Sequence, residues 1–252
     1  MKITFLGTGT STGVPVIACN CEVCTSSDSK DKRTRSSVLV EVDGQTIVID
    51  TGPDFRQQML NAKVQKLDAV FYTHEHKDHT AGLDDIRAFN FVQKRAIDVF
   101  ADVRVQKQLK MEFSYIFSDK KLPGLPEINL HSIENTLFDV NGIEVLPIEV
   151  LHHKLPVLGF RIKDFTYITD AKTIAEEELE KIKGSKVLVL NALRKTDHIS
   201  HLSLSQALEI IDYVKPEKAY LTHISHFMGT HEETNKLLPN GVEVAFDGLI
   251  IE

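Results

Sequence analysis

The densest chemistry in this 252-residue chain lies in Thr73-His74-Glu75-His76-Lys77-Asp78-His79. His74, His76, Asp78 and His79 are all of metal-ligand type and fall within six residues. The apolar run Ala69-Val70-Phe71-Tyr72 precedes them and reads as a strand. Alternation along an extended segment points His74 and His76 to one side. A turn beginning near Lys77 then brings Asp78 and His79 around toward a second ion. A polar strand-to-helix turn capped by Asp78 accounts for one of these residues and leaves three histidines unexplained. Imidazole nitrogen and carboxylate oxygen suit zinc, manganese or iron, so the pattern indicates metal without choosing it.

A second cluster is Cys19, Cys21 and Cys24, the three cysteines of the chain. An odd number spaced this tightly is no disulfide framework and fits a reducing cytoplasm with metal binding. Three thiolates and one further ligand make a closed structural zinc site; the alternative is three buried thiols. The preceding Gly7-Thr8-Gly9-Thr10-Ser11-Thr12-Gly13 lacks both the Lys-Ser/Thr ending of a P-loop and dinucleotide-type glycine spacing, and reads as a tight structural turn.

The segment His74-Glu75-His76-Lys77-Asp78-His79 resembles the His-x-His-x-Asp-His hallmark of the metallo-β-lactamase superfamily. The resemblance implies an α/β fold, an αββα sandwich of two mixed sheets flanked by helices, formed by residues 1–252 as a single domain. It also implies further ligands at strand ends. His152 follows Ile148-Glu149-Val150-Leu151, Asp170 follows Phe165-Thr166-Tyr167-Ile168-Thr169, and His223 follows Ala219-Tyr220-Leu221-Thr222. His153 competes for the first of these positions, but the alternation carries into His152 and the resemblance places the ligand there. By the same resemblance one metal takes His74, His76 and His152, the other takes Asp78, His79 and His223, and Asp170 bridges them. Asp50-Thr51-Gly52-Pro53-Asp54 looks like the superfamily's second motif, in which Asp50 or Asp54 either orients a ligating histidine or caps a helix.

From Gly7 onward the chain is similar to the phosphoribosyl cyclic phosphate phosphodiesterases of bacterial phosphonate breakdown, which carry this cysteine pattern. That likeness implies His226 as the fourth ligand of the structural zinc and His201 as a catalytic histidine. Asp78 and His201 are the catalytic candidates, and two divalent ions, zinc or manganese, are the expected cofactors. A pair of cations acidifies a shared water from 15.7 toward about 7, so hydrolysis is the default chemistry. An imidazole such as His201 suits proton donation to a leaving alkoxide. The expected substrate is a small phosphodiester, with a cyclic one included. The competing readings are a transfer-RNA 3′-end endonuclease, a thioester or lactone hydrolase, and a metal-dependent binding or redox module. His131, His198 and His231 carry no comparable case.

These residues need a scaffold, and short apolar runs supply it: Ile3 to Leu6, Val38 to Val42, Thr46 to Ile49, Ala69 to Tyr72, Ile143 to Leu151 and Lys186 to Leu190 read as strands. A hairpin signal stands at Asp43-Gly44, and helices are expected over Thr173 to Ile182 and Ser203 to Tyr213, the latter capped by Ser203. Hydrophobic residues make up 42% and charged residues 26%, an ordinary water-soluble balance with no bilayer-length tract. Gly7 interrupts the amino-terminal apolar stretch, so no export signal is expected and the cytoplasm is the expected location. A net charge of -7 disfavours nucleic acid as a partner. Homodimers are common among soluble enzymes, and nothing in the sequence speaks against one.

Overall fold

The computed structural model describes residues 1–118 and 123–252. Its strands are β1 (Lys2–Gly7), β2 (Ser37–Val42), β3 (Gln45–Ile49), β4 (Ala69–Phe71), β5 (Ile97–Ala101), β6 (Ile128–Ser132), β7 (Phe138–Val140), β8 (Ile143–His152), β9 (Leu155–Ile162), β10 (Phe165–Ile168), β11 (Thr173–Ile174), β12 (Val187–Asn191), β13 (Lys218–Thr222), β14 (Val242–Val244) and β15 (Ile250–Ile251). Its α-helices are α1 (Glu22–Thr25), α2 (Phe55–Asn61), α3 (Lys77–Thr80), α4 (Arg87–Gln93), α5 (Val103–Glu112), α6 (Glu176–Ile182), α7 (Leu204–Val214) and α8 (His231–Lys236). They form two compact units, one from Met1–Leu6, Ser37–Glu134 and Gly248–Glu252, the other from Gly7–Ser36 and Asn135–Asp247.

The first unit holds a seven-stranded sheet in the order β15-β1-β2-β3-β4-β5-β6. β2 and β3 form an antiparallel hairpin through Asp43-Gly44, both at positive φ (46° and 77°), the backbone that a two-residue turn between twisted strands requires. From β3 to β6 every pairing is parallel. Phe55 and Met59 of α2, Phe89 of α4, and Val105 and Leu109 of α5 share an apolar cluster with Leu39, Val48, Val70 and Val99 of the strands. Residues between those strand positions, such as Val38, Val40, Ile47 and Ile49, are buried too, so these strands read as continuous apolar runs.

The second unit holds an eight-stranded mixed sheet, β11-β8-β9-β10-β12-β13-β14, with β7 paired to β8. β8 and β9 form a long antiparallel hairpin ending at the His152↔Leu155 pair, whereas β10, β12, β13 and β14 run parallel. α7 begins with a full capping box: the Ser203 hydroxyl accepts from the Gln206 backbone N–H while the Gln206 side chain accepts from the Ser203 N–H. Its Ala207, Ile211 and Val214 join Leu188, Leu190 and Leu221 in one core. The helix expected from Thr173 begins at Glu176 instead. Thr173 and Ile174 are β-branched and pair with Leu151 and Val150 as edge strand β11.

Each candidate ligand leaves the end of a strand: Asp50 after β3, the histidine cluster after β4, His152 at the end of β8, Asp170 after β10 and His223 after β13. In the first unit Gly82 lets the chain close behind the histidine cluster. Its N–H donates to the Thr51 carbonyl at 2.8 Å, and a Cβ there would collide with the Gly52 carbonyl and lie 2.7 Å from the Phe55 Cβ. Gly82→Ala is therefore expected to cost about 1–3 kcal/mol by overpacking. Urea titration checks this, and an unchanged midpoint would show that the loop yields freely.

Candidate metal centre

In the first unit Asp50 organises the histidine cluster. Its Oδ2 accepts from His79 Nδ1 at 2.7 Å and from the Thr73 hydroxyl at 2.8 Å, while Oδ1 accepts the Thr73 N–H at 2.9 Å. The Thr73 oxygen in turn accepts from His74 Nδ1 at 2.9 Å. One carboxylate thus fixes two imidazoles in the tautomer that leaves Nε2 as the ligand atom, the arrangement typical of metal-binding histidines. Asp50, Thr73, His74 and His79 are all buried. Burial pushes the Asp50 carboxyl above its usual range, against the pull of His79. Asp54, the alternative, is the residue before α2 and makes no capping bond with its side chain.

The four motif residues converge. The His74 ring centroid lies 4.6 Å from that of His76 and 4.3 Å from that of His79, and Asp78 Oδ2 is 3.2 Å from His79 Nε2. Asp78 lies in the first turn of α3 and caps nothing with its side chain, so the helix-cap alternative fails.

In the second unit His152, Asp170 and His201 offer ligand atoms within 4.8 Å of one another. His152 Nδ1 donates to the Ser200 carbonyl at 2.8 Å, which again leaves Nε2 as the candidate ligand atom. His153 is exposed at φ 56° in the β8–β9 turn and belongs to no such group. His223 is held at both ring nitrogens, Nδ1 lying 3.2 Å from Asp170 Oδ2 and Nε2 lying 3.2 Å from the Thr10 hydroxyl. His201 stands between them, with ring centroids 4.4 Å from His152 and 4.8 Å from His223 and Nδ1 3.7 Å from Asp170. Burial pushes its pKa down to about 3 in spite of Asp170, and His223 and His152 add to the depression. His198 lies alongside, its Nδ1 facing the Ser200 N–H and hydroxyl at 3.3 Å. His131 and His231 lie elsewhere, His131 with Asp98 on β5 and β6 and His231 against Arg33 and Asn235.

Asp50, Asp170 and His223 share a backbone feature: φ of 65°, 58° and 57°. A non-glycine residue in this left-handed region is uncommon, and here it turns each side chain off its strand end. Periodicity gives no hint of it. Thr10 and Ser200 were also missed, since a hydroxyl or carbonyl that steadies a histidine has no motif of its own.

Cys19, Cys21, Cys24 and His226 lie together in the second unit. Sγ of Cys19, Cys21 and Cys24 lies 3.3, 3.4 and 3.5 Å from His226 Nδ1. A tetrahedral zinc with bonds of about 2.3 Å to sulfur and about 2.0 Å to nitrogen needs about 3.5 Å between those atoms, so the four side chains fit the ion. Cys21 is exposed, which removes the alternative of three buried thiols. The Cys24 N–H lowers the Cys21 pKa to about 6, while burial raises that of Cys24 to about 11.

A family model described as a beta-lactamase superfamily domain matches residues 45–224. The chain belongs to the metallo-β-lactamase superfamily. Its two mixed sheets flanked by helices are the superfamily's fold. It is similar over its whole length to a solved diphosphatase of the PhnP family, with a TM-score of 0.93 and 38% identity, covering 100% of this chain and 97% of the other. An octanoyltransferase of Porphyromonas gingivalis is 40% identical over 99% of this chain, which spans 51% of that protein. A ribonuclease Z of Methanococcus maripaludis is 26% identical over 65% of this chain and 49% of that protein. The chain thus spans about half the length of these two relatives.

Asp50→Asn keeps the shape but removes one acceptor, and should lower metal affinity at the histidine cluster about 10- to 100-fold. Chelator competition followed by metal analysis checks this; equal retention in the variant and wild type would remove Asp50 from the metal centre. Replacing Cys19, Cys21 and Cys24 together by serine should lose one zinc per chain and lower the melting temperature. An unchanged zinc content would place the ion elsewhere.

Proposed function

We propose that this superfamily member hydrolyses a small anionic phosphodiester, using two divalent ions held by the ligands that the resemblance assigns. Such ions supply an acidified water and positive charge beside a phosphoryl oxygen. The observation that carries the reading is His201: its buried Nδ1 makes no hydrogen bond among the described residues, although it stands between His152, Asp170 and His223. A buried nitrogen that makes no hydrogen bond and lies 3.7 Å from the Asp170 carboxylate supports a role toward a bound group. In-line attack of water on phosphorus breaks the bond to the leaving oxygen, and His201 gives that oxygen its proton. The low pKa of His201 belongs to the chain alone; anionic phosphoryl oxygens beside the ring favour its protonated form. Burial and the nearby Arg194 lower the pKa of His198, while Lys172 close by is paired with Asp197 at 2.6 Å.

The likeness to a PhnP-family diphosphatase supports chemistry at phosphorus. A second reading, acyl ester or thioester hydrolysis, is favoured by the octanoyltransferase relative. The same metal chemistry attacks carbonyl carbon, and this chain spans 51% of that relative. A ribonuclease-like role is the weakest of the three, because the acidic chain offers no broad attraction to a polyanion.

Bis-p-nitrophenyl phosphate and p-nitrophenyl octanoate, assayed on one metal-analysed preparation, separate the readings. The expected result is diester turnover by wild type, loss of both metal and activity in Asp170→Ala, and a roughly two to four order-of-magnitude fall in kcat for His201→Ala with its metals retained. Turnover of the octanoate ester alone overturns the phosphodiester reading, and full diester turnover by His201→Ala removes the histidine from the reaction.

A further inference from the structure

We propose that Thr10 is a positioning residue for His223, its hydroxyl setting the ring angle and tautomer with which that histidine meets a metal. This rests on the reading of His223 as a metal ligand but not on the choice of substrate.

His223 ends a strand at positive φ, so β pairing does not fix where its ring points. Two contacts do. Nδ1 faces the Asp170 carboxylate, on the side where the other ligand types of this unit lie, and Nε2 faces the Thr10 hydroxyl. Thr10, Asp170 and His223 are all at least nine-tenths buried, at 7%, 2% and 1% exposure, so water does not substitute for either contact. With Nδ1 turned to the metal side, the ring proton sits on Nε2 and is donated to Thr10. The hydroxyl thereby holds both ring angle and tautomer, as carboxylates and carbonyls commonly do for ligating histidines.

Thr10 is itself held from two directions. Its N–H donates to the Ile224 carbonyl at 3.1 Å, and the Ile224 N–H donates to the Thr8 carbonyl at 2.9 Å, so the loop lies alongside the segment after His223. On its other side the loop lies against Arg33 and Thr34: the Gly9 N–H donates to the Thr34 carbonyl at 2.8 Å, and a Cβ on Gly9 would lie 2.9 Å from the Arg33 carbonyl. The Thr8 N–H and hydroxyl both donate to Asp247. Thr10 is thus held in place by bonds on both sides of the loop.

The test uses the full chain loaded with cobalt, whose thiolate charge-transfer bands report the cysteine cluster and whose weaker ligand-field bands report nitrogen and oxygen sites. Thr10→Val keeps the shape and deletes the hydroxyl; Thr10→Ser restores it. The expected result is that Thr10→Val yields one nitrogen/oxygen-bound cobalt to a chelator at about 10- to 100-fold lower concentration. The thiolate bands should be unchanged, and Thr10→Ser should follow wild type. A Thr10→Val protein with wild-type chelator resistance overturns the proposal. Should Thr10→Val fail to fold, Thr10→Ala decides in its place: wild-type chelator resistance of the nitrogen/oxygen sites overturns the proposal.

Discussion

The structure of the first unit turns on one buried carboxylate. Asp50 lies at the end of β3 in a left-handed conformation, fully enclosed, and accepts bonds from Thr73 and His79. A buried charge is tolerated only where its lone pairs are filled. Those lone pairs are filled by the residues that begin and end the histidine motif. The demand for hydrogen bonds at Asp50 and the demand for fixed imidazoles at the metal are therefore met by the same contacts. Parallel pairing of β3 with β4 brings the two strand ends side by side, which is why the acidic motif and the histidine motif meet although 23 residues separate Asp50 from Thr73.

The second unit solves the same problem without a single organiser. The Ser200 carbonyl steadies His152, Thr169 donates to Asp170, and Thr10 meets His223. Each support is neutral and comes from a loop, so the rigidity must come from what holds those loops. The capping box of α7 fixes the chain just after His201, and the cysteine cluster holds the segment just after His223. In a chain whose three cysteines are all free, a metal held by the cysteine cluster would supply the cross-link that such a loop lacks.

The candidate ligands were legible in the sequence because each follows a strand whose apolar run is visible, and because His74 to His79 form a local pattern. The cysteine spacing was legible for the same reason. The supports were not. Thr10 and Ser200 act on histidines 213 and 48 residues away, and a threonine or a main-chain carbonyl carries no signal until the fold brings its partner near. Asp50 and Asp54 were equivalent as letters; only the register of β3 against β4 separates them. The short strand at Thr173–Ile174 was hidden inside a helical pattern, since two residues are too few to show a period of two.

Cys21 lies at the surface with its pKa lowered to about 6, whereas Cys24 lies beneath with its pKa raised to about 11. An ion taken up by the four side chains at neutral pH would have to displace the proton of the buried sulfur. Uptake there would release acid into the medium, and a falling pH would work against it.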